Sequence, residues 1–108
     1  MMNAEQITRA IEQAREEIVK VTPMSAGAEL SDKGKREFIW NDSTINADRH
    51  LVFMLETIPA FLRDGRREKA MRWLGFVQGA IWVRGYVSIE DLKRANAPEG
   101  SENREHLR

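Results

Sequence analysis

The chain has 108 residues, enough for one domain and too few for two of ordinary size. Hydrophobic residues make up 42% and charged residues 31%, a globular balance and not a disordered one. The 17 basic and 17 acidic residues cancel, so no basic excess of the kind that grips duplex DNA is present. Cysteine is absent, which removes disulfide scaffolds, thiolate metal sites and cysteine nucleophiles together.

Asn3 to Val21 is expected to form an amphipathic helix. Ile7, Ala10, Ile11, Ala14, Ile18 and Val21 recur at three- and four-residue spacing and share one face. Asn3 and Gln6 have capping-box spacing, and Pro23 ends the helix. The polar, acidic start of this segment is unlike a secretory signal.

Residues 22–47 are expected to be an irregular connection, because Pro23, Gly27 and Gly34 interrupt any helical pattern. A connection this long is normally anchored somewhere. The apolar triplet Phe38-Ile39-Trp40 is the natural anchor. Either it tucks over the core, or it is a binding loop with Trp40 as a partner contact.

A second helix is expected over Asp48 to Asp64, capped by Asn46 or Asp48. Leu51, Met54, Leu55, Ile58, Phe61 and Leu62 form its apolar face, widened by Val52 and Phe53. Pro59 lies inside it and predicts a kink. Gly65 stands where a left-handed cap is needed.

The third helix, Arg66 to Arg84, ends at Gly85 and is apolar nearly all round from Trp73 onward. Such a helix is either central or carries an interface on its spare side. Trp73, Phe76, Trp82 and Val83 are the interface candidates. Gly75 and Gly79 share a face, and each costs roughly 1 kcal/mol against Ala, a cost that close approach of another backbone would offset. No charged residue falls between Trp73 and Val83, but these 11 residues are too few to cross a bilayer, and no membrane role is expected.

A short fourth helix is expected from Ser88 to about Ala95. Ser88 and Asp91 make its capping box, Val87 and Leu92 a hydrophobic staple, and Ile89 and Leu92 its core anchors. The segment Glu99 to Arg108 holds one apolar residue in ten and reads as a disordered tail. The expectation is an all-α chain. Residues 1–98 form a single domain with a helical-hairpin core, an N-terminal amphipathic helix and a short C-terminal helix.

Candidate chemistry is sparse. His50 is either a partly buried or capping histidine, or a general base or metal ligand acting with Asp48 or Glu56. Glu56 itself is expected to face solvent or pair with a nearby arginine. No HExxH pattern, carboxylate pair at ligand spacing or phosphate-binding glycine loop is present, so no enzyme activity, metal or cofactor is expected. The concentrated charge lies at the hairpin turn, where Arg63, Arg66, Arg67, Lys69 and Arg72 fall within ten residues. These either form a solvated helix end, with Glu68 paired to Arg72, or bind a phosphate or carboxylate. Trp82 with Tyr86 forms a further apolar surface that either joins the core or meets a partner.

The stretches DRHLVFML, GRREKAMRWLGFVQGAIW and SIEDLKRANAP resemble a group of small proteins encoded by tailed bacteriophages and prophages. The shared pattern is R-H-L-x-F-M, then G-R-x-E-K-A-x-R-W-L-G-F-x-Q-G, then S-I-x-x-L-K-x-x-N-x-P. It covers Asp48 to Pro98, about half of the chain. The resemblance implies a phage origin and the cytoplasm of an infected bacterium, and it brings no catalytic residue with it. The expected function is an accessory protein that acts by binding a host or phage protein, modulates host defence and forms a homo-oligomer. The less favoured reading is a binder of a nucleotide signal or nucleic acid through the basic turn.

Overall fold

The computed structural model describes residues 2–32, 35 and 44–97. The Phe38-Ile39-Trp40 triplet, with Trp40 as interface candidate, and the Glu99–Arg108 tail lie outside the described residues. The described residues form four helices: α1 (Ala4–Val21), α2 (Thr44–Arg63), α3 (Arg67–Val83) and α4 (Ile89–Asn96). The all-α expectation holds, with α2 and α3 paired as a hairpin and α1 packed against α2, α3 and α4.

Both turns of the hairpin region close in the same way. Gly65 and Gly85 have φ of 74° and 77°, conformations that favour a residue without Cβ. Gly65 N–H donates to Leu62 O and Arg66 N–H to Phe61 O; Gly85 and Tyr86 repeat this pairing onto Trp82 and Ile81. Each pair closes a Schellman motif and satisfies carbonyls that a helix end would leave open.

The capping boxes expected at Asn3/Gln6 and Ser88/Asp91 are both formed. α2 departs from expectation at its start. It begins at Thr44, so Asp48 is a turn inside the helix and caps nothing. It then runs on through Pro59 to Arg63.

The core is a single apolar cluster. Ile7 and Ile18 of α1, Leu55 and Ile58 of α2, and Leu74 and Ile81 of α3 are fully buried. α1 presents its buried apolar residues at 7, 10, 14 and 18, while Val21 at its end is exposed. α4 adds little apolar mass. Leu92 packs on the core, but Ile89, expected as a second anchor, is 42% exposed. α4 is instead held by polar ties. Gln78 and Asn96 exchange two amide hydrogen bonds at 2.7 and 3.1 Å, and Arg9 Nη2 donates to Ala97 O at 2.7 Å.

α2 and α1 both pack on α3 from the side of its buried stripe and leave its other side uncovered. Its buried apolar residues Ala70, Leu74, Val77 and Ile81 follow helical spacing. At about 100° per residue, Gly75, Phe76, Gly79, Trp82 and Val83 fall on the opposite side.

Candidate functional site

The uncovered side of α3 forms one wall of an apolar cleft of about 1010 Å³. Met54 and Leu51 of α2 stand opposite, with Leu30, Trp73 and Phe76 among the other lining residues. Phe76 is 62% exposed, Trp82 48% and Val83 69%. A Cβ built on Gly75 or Gly79 meets nothing within 4 Å. The close backbone approach expected at these glycines is therefore not made within the described chain. Trp73 behaves differently from the other three candidates. Its ring meets Phe61 edge-on at 4.7 Å and 85°, so it is largely a packing residue with one edge on the cleft.

A strap of residues 22–30 is pinned along α2 and reaches the cleft at Leu30. Gly27 N–H donates to Glu56 Oε1 at 2.8 Å, Ala28 N–H to Arg49 O at 3.0 Å, and Leu30 N–H to His50 Nδ1 at 3.1 Å. Gly27 lies so close to α2 that an added Cβ would stand 2.1 Å from Phe53 N and 2.7 Å from Arg49 O. Only glycine fits that contact. The strap engages two of the acid–base residues singled out in the sequence. Glu56 is exposed to solvent, as expected, but its Oε1 also accepts the Gly27 N–H, and it forms no ion pair with arginine among the described residues; His50 is bonded to neither Asp48 nor Glu56.

Accepting a backbone N–H at Nδ1 places the His50 proton on Nε2 in the neutral ring. Burial, aided by the nearby Lys35 ammonium and opposed by Glu29, holds the His50 pKa below its ordinary value of 6.5. The unfolded chain therefore binds this proton more readily. The contribution of His50 is full above about pH 6.5 and is lost as pH falls through the lowered folded value. The melting temperature should therefore decline as the pH falls below about 6.5. A His50→Asn variant should lose that part of the decline, as scanning calorimetry at a series of pH values would show.

Asp48 organises a buried polar cluster, of which Arg84 also lines the cleft. Asp48 is fully buried, and its carboxylate is completely engaged. Arg84 Nη1 donates to Oδ1 at 3.1 Å, while Tyr86 OH and Thr22 Oγ1 donate to Oδ2 at 2.8 and 2.7 Å. This cluster ties the end of α1 and the end of α3 to the second turn of α2. Burial, with the adjacent Asp48, pushes the Tyr86 phenol pKa up, so Tyr86 remains a hydrogen-bond donor at neutral pH. Tyr86 thus turns inward and does not share an outer apolar surface with Trp82. Pattern reading missed this cluster, because Asp48, Arg84 and Tyr86 belong to no local motif. The one available signal was an aspartate on a helix face otherwise rich in Leu, Val and Met.

The basic turn is partly dispersed by the fold. Lys69 Nζ stands 4.7 Å from the Phe61 ring centroid and 5.5 Å from that of Trp73, and the Arg66 guanidinium lies 5.5 Å from Phe61. These are cation–π contacts. Arg63 and Arg66 are exposed, and Arg72 lines the cleft. The expected Glu68–Arg72 ion pair is not formed among the described residues. Arg66 is the N-cap residue of α3 and makes no side-chain cap hydrogen bond.

Among the described residues, no group of three or more His, Asp or Glu side chains is placed to hold a metal ion. None of the described helices is long and apolar enough to cross a membrane. Comparison with known protein families, curated proteins and solved structures finds no match for this chain.

Proposed function

We propose that this chain is a small accessory protein of the phage type that acts by binding, not by catalysis, in the cytoplasm of an infected bacterium. Its contact surface is the cleft and the outer face of α3. The observation that carries the reading is an uncharged helix face displaying Phe76, Trp82 and Val83 on a domain whose core is already complete without them. Aromatic side chains exposed beside an apolar cleft are the usual anchors of a protein contact. The non-catalytic part rests on the use of Asp48, His50 and Glu56 as internal tethers. The phage context rests on the sequence resemblance alone.

The basic turn supports a second reading, binding of a phosphate-bearing ligand. Its specific support is Arg67, whose Nε is buried with no hydrogen-bond partner among the described residues, beside the uncapped first turn of α3. The cation–π contacts hold the Lys69 and Arg66 head groups against aromatic rings and restrain where their charges point.

The two readings separate in one experiment. The chain is used to capture partners from infected cells, and the eluate is analysed for protein and for nucleotide. Phe76→Glu/Val83→Glu should remove at least about 90% of a specifically captured protein, equivalent to a loss of about 1.4 kcal/mol or more. Arg63→Ala/Arg66→Ala/Arg67→Ala should leave that capture intact. The opposite pattern, or nucleotide recovered only by chains with an intact turn, would favour the second reading.

A further inference from the structure

We infer that the outer face of α3 pairs with the same face of a second copy of this chain, antiparallel, about a two-fold axis through Gly79. The inference rests on the binding role of this face and names one occupant for it. The face is self-complementary in position. At about 100° per residue, Gly79 is its angular centre, with Gly75 and Trp82 to one side and Phe76 and Val83 to the other. A two-fold axis through Gly79 brings each residue opposite its counterpart three or four positions away. Trp82 of one copy then stands over the notch at Gly75 of the other. Phe76 lies alongside Val83 of the other copy, and the two Gly79 residues meet at the axis. Both notches are open, since a Cβ at either glycine meets nothing within 4 Å. The knobs that would fill them are the large exposed apolar residues of the same helix. A closed pair with each patch used twice follows from that arrangement.

Charge fits the antiparallel sense. No charge interrupts the face between Trp73 and Val83. Arg72, one turn before Phe76, would lie near the C-terminal end of the other copy's α3, where the C-cap residue Arg84 is already paired with the Asp48 carboxylate. A cation is favoured at that negative end of the helix dipole. The area is sufficient for a modest interface. Phe76, Trp82 and Val83 together expose roughly 350 Å² per copy, taking about 150–250 Å² for a whole aromatic side chain. With the cleft walls included, the pair buries on the order of 1,000 Å², near the lower bound for specific association. The expected affinity is micromolar.

The chain lacks cysteine, so a single introduced thiol reports on this geometry without interference. Helix axes about 8–10 Å apart, with Cα atoms about 2.3 Å from each axis, put the two Gly79 Cα atoms roughly 3.5–5.5 Å apart. A disulfide spans about 4.4–6.8 Å, so Gly79→Cys should link under mild oxidation. Val83→Cys should not link to itself, because antiparallel pairing separates those positions by about 12 Å along the axis. Mixing Phe76→Cys with Val83→Cys should give the mixed dimer. Since the fold leaves space at residue 79, Gly79→Leu should fold normally yet weaken association at least about tenfold by wedging the backbones apart. Sedimentation of the unmodified chain, with Gly79→Cys and Val83→Cys oxidised in parallel, decides the matter. A reversible dimer with linkage at 79 and none at 83 supports the inference. A chain that stays monomeric through the high micromolar range, or linkage at 83 and not at 79, overturns it. If the chain is monomeric but Phe76→Glu/Val83→Glu still abolishes protein capture, self-pairing falls and the binding role stands. If neither association nor capture depends on this face, both fall.

Discussion

Asp48→Ala should destabilise the fold by about 3–5 kcal/mol, the usual loss when one partner of a buried ion pair is removed. A domain of this size has a total stability of about 5–15 kcal/mol, so the variant should be barely folded. The physical cause lies in what is left behind. Asp48 is fully buried, and the Arg84 side chain paired with it is only 11% exposed. Deleting the carboxylate removes the acceptor shared by the Arg84 guanidinium and the Tyr86 and Thr22 hydroxyls. Changing Arg84→Leu in the same chain should therefore recover part of the loss. The double variant should be more stable than the sum of the two single losses predicts. Urea denaturation followed by circular dichroism measures all three. An Asp48→Ala protein within about 1 kcal/mol of the parent would show that the cluster does not hold the three helix segments together.

Gly27→Ala should cost about 2–4 kcal/mol, the range expected when a backbone contact cannot be preserved. The added methyl would sit 2.1 Å from Phe53 N, and both nearest neighbours are backbone atoms of α2, which no side-chain rotation can clear. The strap must lift, which gives up the hydrogen bonds at Gly27, Ala28 and Leu30, each worth about 1 kcal/mol net. Gly75→Ala and Gly79→Ala are the natural controls. Both positions are open, so there the alanine should stabilise the helix by about 0.5–1 kcal/mol. Amide exchange at Ala28 and Leu30 should accelerate in Gly27→Ala and remain slow in the controls. Equal protection in all three would mean that the strap tolerates a side chain at residue 27.

The helices themselves were largely legible in the residue pattern. Apolar spacing gave α1 and α2, the two capping boxes marked the starts of α1 and α4, and Gly65 and Gly85 marked ends. Each of these signals is local, so neighbouring residues suffice to read it. The start of α2 was misplaced because Asp48 resembles a cap, and its true partners lie 26 and 36 residues away at Thr22 and Arg84. The importance of Gly27 was hidden for a similar reason, since its contact is with helix backbone and carries no side-chain signature. α3 posed a different problem. Being apolar on nearly every side, it contains no periodicity that says which side is buried. That is settled by the packing of α2 and α1, which together cover the stripe from Ala70 to Ile81 and leave Phe76, Trp82 and Val83 outside. The interface candidates were thus nameable from composition, but separating Trp73 from the other three required the packing of Phe61.

The exposed face of α3 is tested most directly by sedimentation velocity of the parent chain and of Phe76→Glu/Val83→Glu across the micromolar range. Both residues lie outside the core, so the double variant should melt within a few degrees of the parent, an effect of under about 1 kcal/mol. The parent should shift with concentration from the mass of one chain towards that of two, and the double variant should remain a single chain throughout. A parent that sediments as a single chain at every concentration, indistinguishable from the double variant, would contradict the pairing of this face.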